Sequence, residues 1–345
     1  MKLAIILFNL GGPDSPEAVE PFLRNLFSDP AIIRLPWLLR KPLAWFIARR
    51  RGPVAQKIYA HLGGRSPILE ETQKQARALE AALSEPGLQA HAFVAMRCWN
   101  PFSDGAALAV KNFNPDRIVA LPLYPQYSTT TSASSLKDWD RAARKAGLTQ
   151  STGRICCYPD EPGFIAAMAA NIRAVMANAP PGISYRLLLS AHGLPKNVIA
   201  DGDPYQWQVE RTAAALVDAL GINPPLVDWR ICYQSRVGPR RWLEPSTDAE
   251  ITRAGREGLG VIIAPIAFVS EHSETLVELD IEYEKLARSA GVPDYRRAAT
   301  VGADPLFIAG LAGLVRRAMT GQAAINSSGA RFCPEKFCRC YQERN

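Results

Sequence analysis

Between Ser270 and Tyr283 the chain reads Ser-Glu-His-Ser-Glu-Thr-Leu-Val-Glu-Leu-Asp-Ile-Glu-Tyr, which sets Glu274, Glu278 and Glu282 four residues apart. On an α-helix these carboxylates share a face, and like charges at that spacing cost stability. A solvated acidic face is the ordinary reading of such a pattern. Against it, Leu276, Leu279 and Tyr283 require one side of the same helix to be buried. A carboxylate ladder that begins beside an imidazole, here His272, can move protons or deliver a divalent cation. A second histidine, His192, stands in Ser190-Ala191-His192-Gly193-Leu194-Pro195, where an apolar run ends in a tight turn. A lone histidine is more often structural than catalytic. At the carboxyl end of a parallel strand, however, it stands where α/β proteins place ligand chemistry.

Cysteine supplies the other reactive set. The chain has seven, an odd number, and no export signal, which points away from a disulfide framework and towards metal or redox chemistry. Cys333, Cys338 and Cys340 crowd near the end, Cys156 and Cys157 are adjacent, and Cys98 and Cys232 stand alone. The terminal spacing fits no common zinc finger. No P-loop, G-x-S-x-G, H-E-x-x-H or G-x-G-x-x-G motif occurs, so nucleotide-dependent transfer and triad hydrolysis have no support.

These residues need a scaffold, and the hydrophobic pattern supplies an α/β one. Short apolar runs at Leu3–Phe8, Ala90–Met96, Arg117–Leu121, Tyr185–Ser190, Leu226–Cys232 and Gly260–Ile266 read as buried parallel strands. Amphipathic stretches at Pro67–Leu83, Ser134–Ala146, Gly163–Asn178, Pro204–Ala219, Thr247–Glu257, Glu274–Ala290 and Pro305–Met319 read as helices. The two halves echo each other: Lys2–Pro13 parallels Tyr185–Pro195, and Val119–Ser128 parallels Ile262–Ser270. Two similar doubly wound units follow, with Tyr124, Tyr127, His192 and His272 at strand exits. The 345 residues, 48% hydrophobic and 21% charged, suit two domains and exclude disordered, collagen-like and coiled-coil classes. No run is long enough to span a bilayer. The N-terminal apolar run is too short for a signal peptide and reads as a first strand.

The net charge of +7 is concentrated: residues 31–65 carry +8 with no acid, which leaves the other 310 at −1. That distribution argues against a nucleic-acid partner. Trp37, Leu38, Leu39, Leu43, Trp45 and Phe46 are interleaved with these cations. Exposed, the mixture suits an anionic membrane surface or a flat apolar ligand with carboxylates. Turned inward, it is an ordinary amphipathic helix.

The chain resembles the ferrochelatases over nearly its whole length. The motifs that carry the likeness are Asn9–Pro13, Arg50–Pro53 through Tyr59, Gly63–Pro67, Leu123–Ser128, Ser190–Pro195, Gly202–Tyr205, Tyr233–Pro239 with Trp242, and Ile266–Tyr283. The resemblance implies insertion of ferrous iron, as substrate, into protoporphyrin IX with release of two protons. It implies two similar Rossmann-like domains with parallel sheets and a porphyrin cleft between them. The spans expected are 1–165 with a membrane-facing lip at about 31–51, then 166–303, a helix 304–322 returning to the first domain, and a cysteine-bearing extension 323–345. His192 would accept the pyrrole proton or bind iron, with Glu274 as a second iron ligand. His272, Glu278 and Glu282 would continue the proton or metal path. Arg50, Tyr59 and Ser128 match positions that hold propionates or line the pocket; Leu10, Tyr124 and Trp242 match its apolar walls. Peripheral attachment to the inner membrane from the cytoplasm and a possible homodimer are further expectations.

The chemistry requires these types. A porphyrin is planar and apolar with anionic edges, so it needs aromatic and aliphatic walls plus arginine. Its inner N–H groups are poor acids until the ring bends, so a close base is needed. Two departures stand out: Val54 replaces a lysine of the animal enzymes, and Thr129 replaces a cluster cysteine of the animal members. A [2Fe–2S] cluster on Cys333, Cys338 and Cys340 would therefore need Cys156 or Cys157 as its fourth ligand. Strand alternation would send those two thiols to opposite faces, so one serves, with Cys157 on the face of Ile155. Zinc is the alternative metal. The competing functions are a coproporphyrin or cobalt chelatase, and a tetrapyrrole-binding protein without catalysis.

Overall fold

A computed structural model describes residues 1–222, 225–236, 238, 240–320, 325–327 and 333–341. Val237 and Pro239 of the Tyr233–Pro239 motif, and 323–324, 328–332 and 342–345 of the extension, lie outside the described residues. The chain divides into two compact units. The first comprises Met1–Cys157 with Leu311–Phe332 and Cys340–Asn345; the second comprises Tyr158–Gly310 with Cys333–Arg339.

The first unit runs β1 (Lys2–Asn9), α1 (Val19–Ser28), α2 (Trp37–Ala60), α3 (Ile68–Ala82), β2 (Gln89–Met96), α4 (Ser103–Phe113), β3 (Arg117–Pro122), α5 (Ser132–Ala146) and β4 (Thr152–Arg154). Its parallel sheet has the order β2-β1-β3-β4. Leu3 through Phe8 are all buried, which is why β1 reads as a continuous apolar run rather than an alternating one. Ala4, Ile6 and Phe8 pack against Ala107 and Val110 of α4 and Leu136 and Trp139 of α5. The turn after β1 needs glycine: Gly11 has φ +85°, and a Cβ on Gly12 would meet the Ser66 side chain at 2.4 Å.

Helix α2 explains the mixed stretch of cations and large apolar residues. Its buried residues are Ala44, Ala48, Gly52 and Tyr59, small except for the last. Ala48 and Tyr59 pack with Val19, Phe22 and Leu23 of α1. Because the small residues take the inner stripe, the large ones face outward. Trp37, Leu38 and Leu39 are 60%, 64% and 61% exposed. No helix among the described residues is long and apolar enough to cross a membrane.

The second unit runs α6 (Pro162–Ala177), β5 (Tyr185–His192), α7 (Lys196–Ala200), α8 (Tyr205–Leu220), β6 (Leu226–Gln234), α9 (Thr247–Arg256), β7 (Gly260–Pro265), α10 (Ser273–Leu276), a π turn (Glu278–Glu282), α11 (Tyr283–Ser289), β8 (Tyr295–Arg297) and α12 (Pro305–Ala318). From Leu311 onward α12 belongs to the first unit. The sheet order β6-β5-β7-β8 repeats that of the first unit, so the echo in the sequence is an echo of topology. Asn9 closes β1 as His192 closes β5.

One expected element is corrected. The single helix Glu274–Ala290 is divided by the π turn, where Glu282 N donates to Val277 O at 2.9 Å, a spacing of five residues. The wider turn takes Glu282 off the face of Glu274 and Glu278, and it is exposed.

Candidate active site

His192 leaves the sheet as the last residue of β5 and is half-buried. Gly193 follows because the chain passes close to its neighbour: a Cβ there would lie 2.8 Å from Gln234 O and 3.5 Å from the Trp242 ring. Trp242 thus sits beside Gly193, where its segment bridges Pro195. Tyr205 fixes the strand exit by donating its hydroxyl to His192 O at 2.9 Å.

The loop after β7 brings the carboxylates to this exit. Nδ1 of His192 lies 2.8 Å from Oε2 of Glu274. Ser235, just past β6, donates its hydroxyl to Glu274 Oε2 at 3.2 Å and also to Glu278 Oε2. Its amide donates to Glu278 Oε1 at 2.8 Å. Gln234 Nε2 donates to Glu274 O at 2.9 Å and to Glu278 Oε2 at 3.1 Å, and Ser190 Oγ holds that amide by donating to its Oε1 at 2.8 Å. Tyr283 completes the line with its hydroxyl 3.1 Å from Glu278 Oε1. The result is a hydrogen-bonded line from imidazole through two carboxylates to a phenol.

Electrostatics separates its members. Burial works against a charged His192, but the Glu274 carboxylate outweighs it and raises the imidazole above its ordinary value. Burial likewise opposes ionisation of Glu274, and its two histidine neighbours with Ser235 hold it well below the usual carboxylate range. Burial and the adjacent Glu274 charge push Glu278 the other way. Two carboxylates whose environments drive them apart are a pairing suited to acid–base work. His272 stands apart: it is buried, burial lowers its pKa, its Nδ1 is 3.5 Å from Thr275 Oγ1, and its ring meets Phe268 at 4.5 Å. Phe268 also lies 6.4 Å from His192, edge-on.

In the first unit, Leu10, Tyr59 and Trp99 belong to one apolar cluster after β1. The Leu10 amide donates to Asn9 Oδ1 at 2.9 Å, and Asn9 Nδ2 donates to Thr72 Oγ1 at 3.1 Å. Tyr124 is partly buried against the β1 core, and burial pushes its phenol up. Ser128 is buried, and its hydroxyl is 2.8 Å from that of Thr130. Arg50 is exposed on α2.

The cysteines depart from their expected geometry. Cys156 and Cys157 follow β4 rather than continuing it, both are buried, and their sulfurs are 3.3 Å apart. Alternation to opposite faces does not apply, because the backbone has left the strand. Cys333 is buried and accepts from Gln208 Nε2 at 3.1 Å; Cys340 is buried and Cys338 exposed. Among the described residues no three His, Cys, Asp or Glu side chains form a group that could hold a metal ion.

Sequence reasoning did not single out Ser235, Gln234, Tyr205 or Tyr283 for this site, although all four lie in the motifs that carried the resemblance. Their contribution depends on where strands end, which residue type alone does not disclose.

A ferrochelatase family model matches residues 2–319. The chain belongs to the ferrochelatase family. The ferrochelatase of Caulobacter vibrioides is 53% identical over 343 residues, covering 98% of this chain and 97% of its own. That of Rickettsia bellii is 43% identical over 344 residues, covering 98% and 94%. Among solved structures, the sirohydrochlorin chelatase SirB from Bacillus subtilis subspecies spizizenii, in complex with cobalt, has a TM-score of 0.55 at 12% identity, covering 94% of this chain and 99% of its own. At that identity the likeness is one of fold: an α/β chelatase fold of parallel sheets.

Proposed function

We infer that this ferrochelatase family member is a lyase of haem biosynthesis that inserts Fe²⁺ into protoporphyrin IX and releases two protons. The observation that carries the reading of its site is the line His192, Glu274, Ser235, Glu278, Tyr283 at the carboxyl end of β5. With Nδ1 held by Glu274, His192 takes a pyrrole proton on Nε2. The Glu274 carboxylate stabilises the imidazolium so formed, and Glu278, primed to bind a proton, passes it on towards Tyr283 and the exposed Glu282. The same His192 and Glu274 present nitrogen and oxygen donors to the incoming iron. In the first unit Leu10, Tyr59 and Tyr124 offer apolar surface, Ser128 a hydroxyl and Arg50 a cation for a propionate; in the second Trp242 offers apolar surface near the turn after β5. Phe268 fixes the base by packing against its ring, with His272 behind it.

The deciding experiment is an anaerobic assay of Fe²⁺ insertion into protoporphyrin and coproporphyrin side by side, with His192→Ala as control. Wild type is expected to prefer protoporphyrin. The variant should lose about 10²–10⁴-fold in rate, the usual contribution of a general base, while still binding porphyrin. Retention of more than about half the rate would remove His192 from the mechanism, and preference for coproporphyrin would change the substrate.

Two finer readings accompany this one. The outward Trp37–Leu39 face of α2 attaches peripherally to an anionic membrane, since Lys41 and Arg49 cover Trp37 and Trp45 beside it. The cysteines hold a [2Fe–2S] cluster: Cys333, Cys338, Cys340 and one of Cys156 and Cys157 offer four thiolates, all but Cys338 buried. Donor chemistry and burial fit the cluster. Among the described residues no three of these donors stand grouped as a metal site, so the thiols would have to draw together to hold the cluster, and equally to hold zinc.

A further inference from the structure

We propose that Arg297 is a positioning residue that clamps both flanks of the segment bearing Glu274 and Glu278. The proposal rests on the reading of His192, Glu274 and Glu278 as the proton-handling set.

Arg297 ends β8, with only 12% of its side chain exposed. Its NH1 donates to Glu271 Oε1 at 2.9 Å. Its Nε and NH2 fork onto the two oxygens of Asp280, at 2.5 and 2.9 Å. Glu271 immediately precedes His272 and Glu274, and Asp280 lies inside the π turn just beyond Glu278. One guanidinium therefore grips the segment before and after its working carboxylates. Glu271 is held in turn by the Thr300 amide at 2.9 Å. Tyr295, on the same short strand, ties the π turn a second time by donating to Leu279 O at 2.8 Å.

The segment needs such a clamp. A π turn carries one residue more than the α-helix it interrupts and is intrinsically the poorer structure. Relaxing it by one residue would rotate everything beyond Val277 by roughly 100° about the helix axis. Glu278 would then leave Ser235, Gln234 and Tyr283. Those three partners bind the Glu278 carboxylate itself, whose charge must change as protons pass, so they weaken when the relay is loaded. The bonds of Arg297 go to Glu271 and Asp280, outside the relay, and hold in either state. Lysine can replace it only in part, since a point charge does not offer a fork to one carboxylate and a third donor to another.

The test compares Arg297→Gln, Arg297→Lys and Asp280→Asn with wild type and His192→Ala. Steady-state insertion of Fe²⁺ into protoporphyrin is measured together with amide hydrogen exchange of the unliganded proteins. For Arg297→Gln, kcat should fall about 10–100-fold, as for outer partners of reactive groups, with the KM for porphyrin little changed. Peptides covering 272–283 should exchange faster while those of β5 and β7 keep their protection. A role confined to general stability would accelerate all of them. Arg297→Lys should recover part of kcat. Asp280→Asn, which keeps the Glu271 arm, should move both readouts in the same direction and serves if Arg297→Gln does not fold. Unchanged exchange over 272–283 in Arg297→Gln, or in Asp280→Asn if that is the variant available, overturns the clamp. Faster exchange beside a wild-type kcat overturns its role in turnover. If His192→Ala also keeps its kcat, the failure belongs to the proton-handling reading instead.

Discussion

The backbone amide of Ser235 donates to Oε1 of Glu278 at 2.8 Å from a left-handed conformation, φ +62°. Few residues other than glycine adopt that region readily. The turn after β6 bends the chain so that one residue addresses Glu278 with its amide and both Glu274 and Glu278 with its hydroxyl. Two carboxylates can share a half-buried site because one residue places two donors between them.

Ser235→Ala keeps the amide contact and removes the hydroxyl. A hydrogen bond to a charged group contributes roughly 1.5–3 kcal/mol, so kcat should fall about 10-fold or more while porphyrin affinity stays unchanged. The measurement is kcat beside a fluorescence titration with protoporphyrin under anaerobic conditions. A wild-type kcat would show that the carboxylates manage without their bridge.

Glu274→Gln should shift the acid limb of the pH–rate profile. His192 accepts a proton only when neutral, so activity rises with pH through its pKa, and Glu274 holds that pKa above the ordinary imidazole value. Removing the carboxylate charge lowers the pKa, moves the limb to lower pH and slows the plateau. Glu282→Gln, altering an exposed residue beyond the π turn, should leave the limb in place and slow turnover less. Profiles of kcat for the three proteins decide it. Equal and negligible effects would reduce the ladder to a solvated face.

How much of this was legible in the sequence depended on what each residue's neighbours were. Strands β1, β3, β5 and β7 could be read because they are buried on both faces and so nearly pure in apolar residues, whereas β2 and β6, at the sheet edges, are only partly buried and carry polar residues among the apolar ones. Helix α2 could not be delimited: Pro42 and Pro53 lie inside it, and its inner stripe is alanine and glycine, which gives no amphipathic signal. The edge strands β4 and β8 are three residues each, too short for a period. The four-residue spacing of Glu274, Glu278 and Glu282 suits an α-helix, and the π turn that breaks it is held by Tyr295 and Arg297, remote in sequence. His192 and Glu274 could be named from the chain; Ser235, which bridges Glu274 and Glu278, could not, because only the left-handed turn after β6 brings its amide and hydroxyl to them.

The α2 face offers a test in lipid. Replacing Trp37, Leu38 and Leu39 with Ser should reduce association with anionic liposomes more than it reduces activity on detergent-dispersed porphyrin. These three side chains are 60%, 64% and 61% exposed, so their loss removes no core packing. Salt should weaken the wild-type association only in part, since apolar insertion is not screened as Arg and Lys contacts are. Flotation at two ionic strengths is sufficient. Complete release in moderate salt would mean purely electrostatic attachment and an apolar face that takes no part.

The cluster is decided first by colour. A [2Fe–2S] centre on four thiolates gives a red-brown protein with visible bands beyond any bound haem. A colourless protein with one zinc per chain would overturn it. The fourth ligand is then a question about Cys156 and Cys157, whose buried sulfurs lie 3.3 Å apart. Because both thiols occupy the same place beyond β4, strand face does not choose between them. The double variant Cys156→Ser/Cys157→Ser should therefore be bleached, whereas at least one single variant should keep its visible absorption and its two irons per chain. Cys333→Ser should bleach as well, and it leaves Gln208 without the buried sulfur to which it donates at 3.1 Å. Serine sets a smaller oxygen acceptor where the sulfur stood, so the buried contact is loosened rather than lost and the melting temperature should fall only slightly. Iron and sulfide analysis of each variant, beside its melting temperature, separates loss of the cluster from loss of the fold. A double variant as strongly coloured as wild type would take the Cys156–Cys157 pair out of the ligand set.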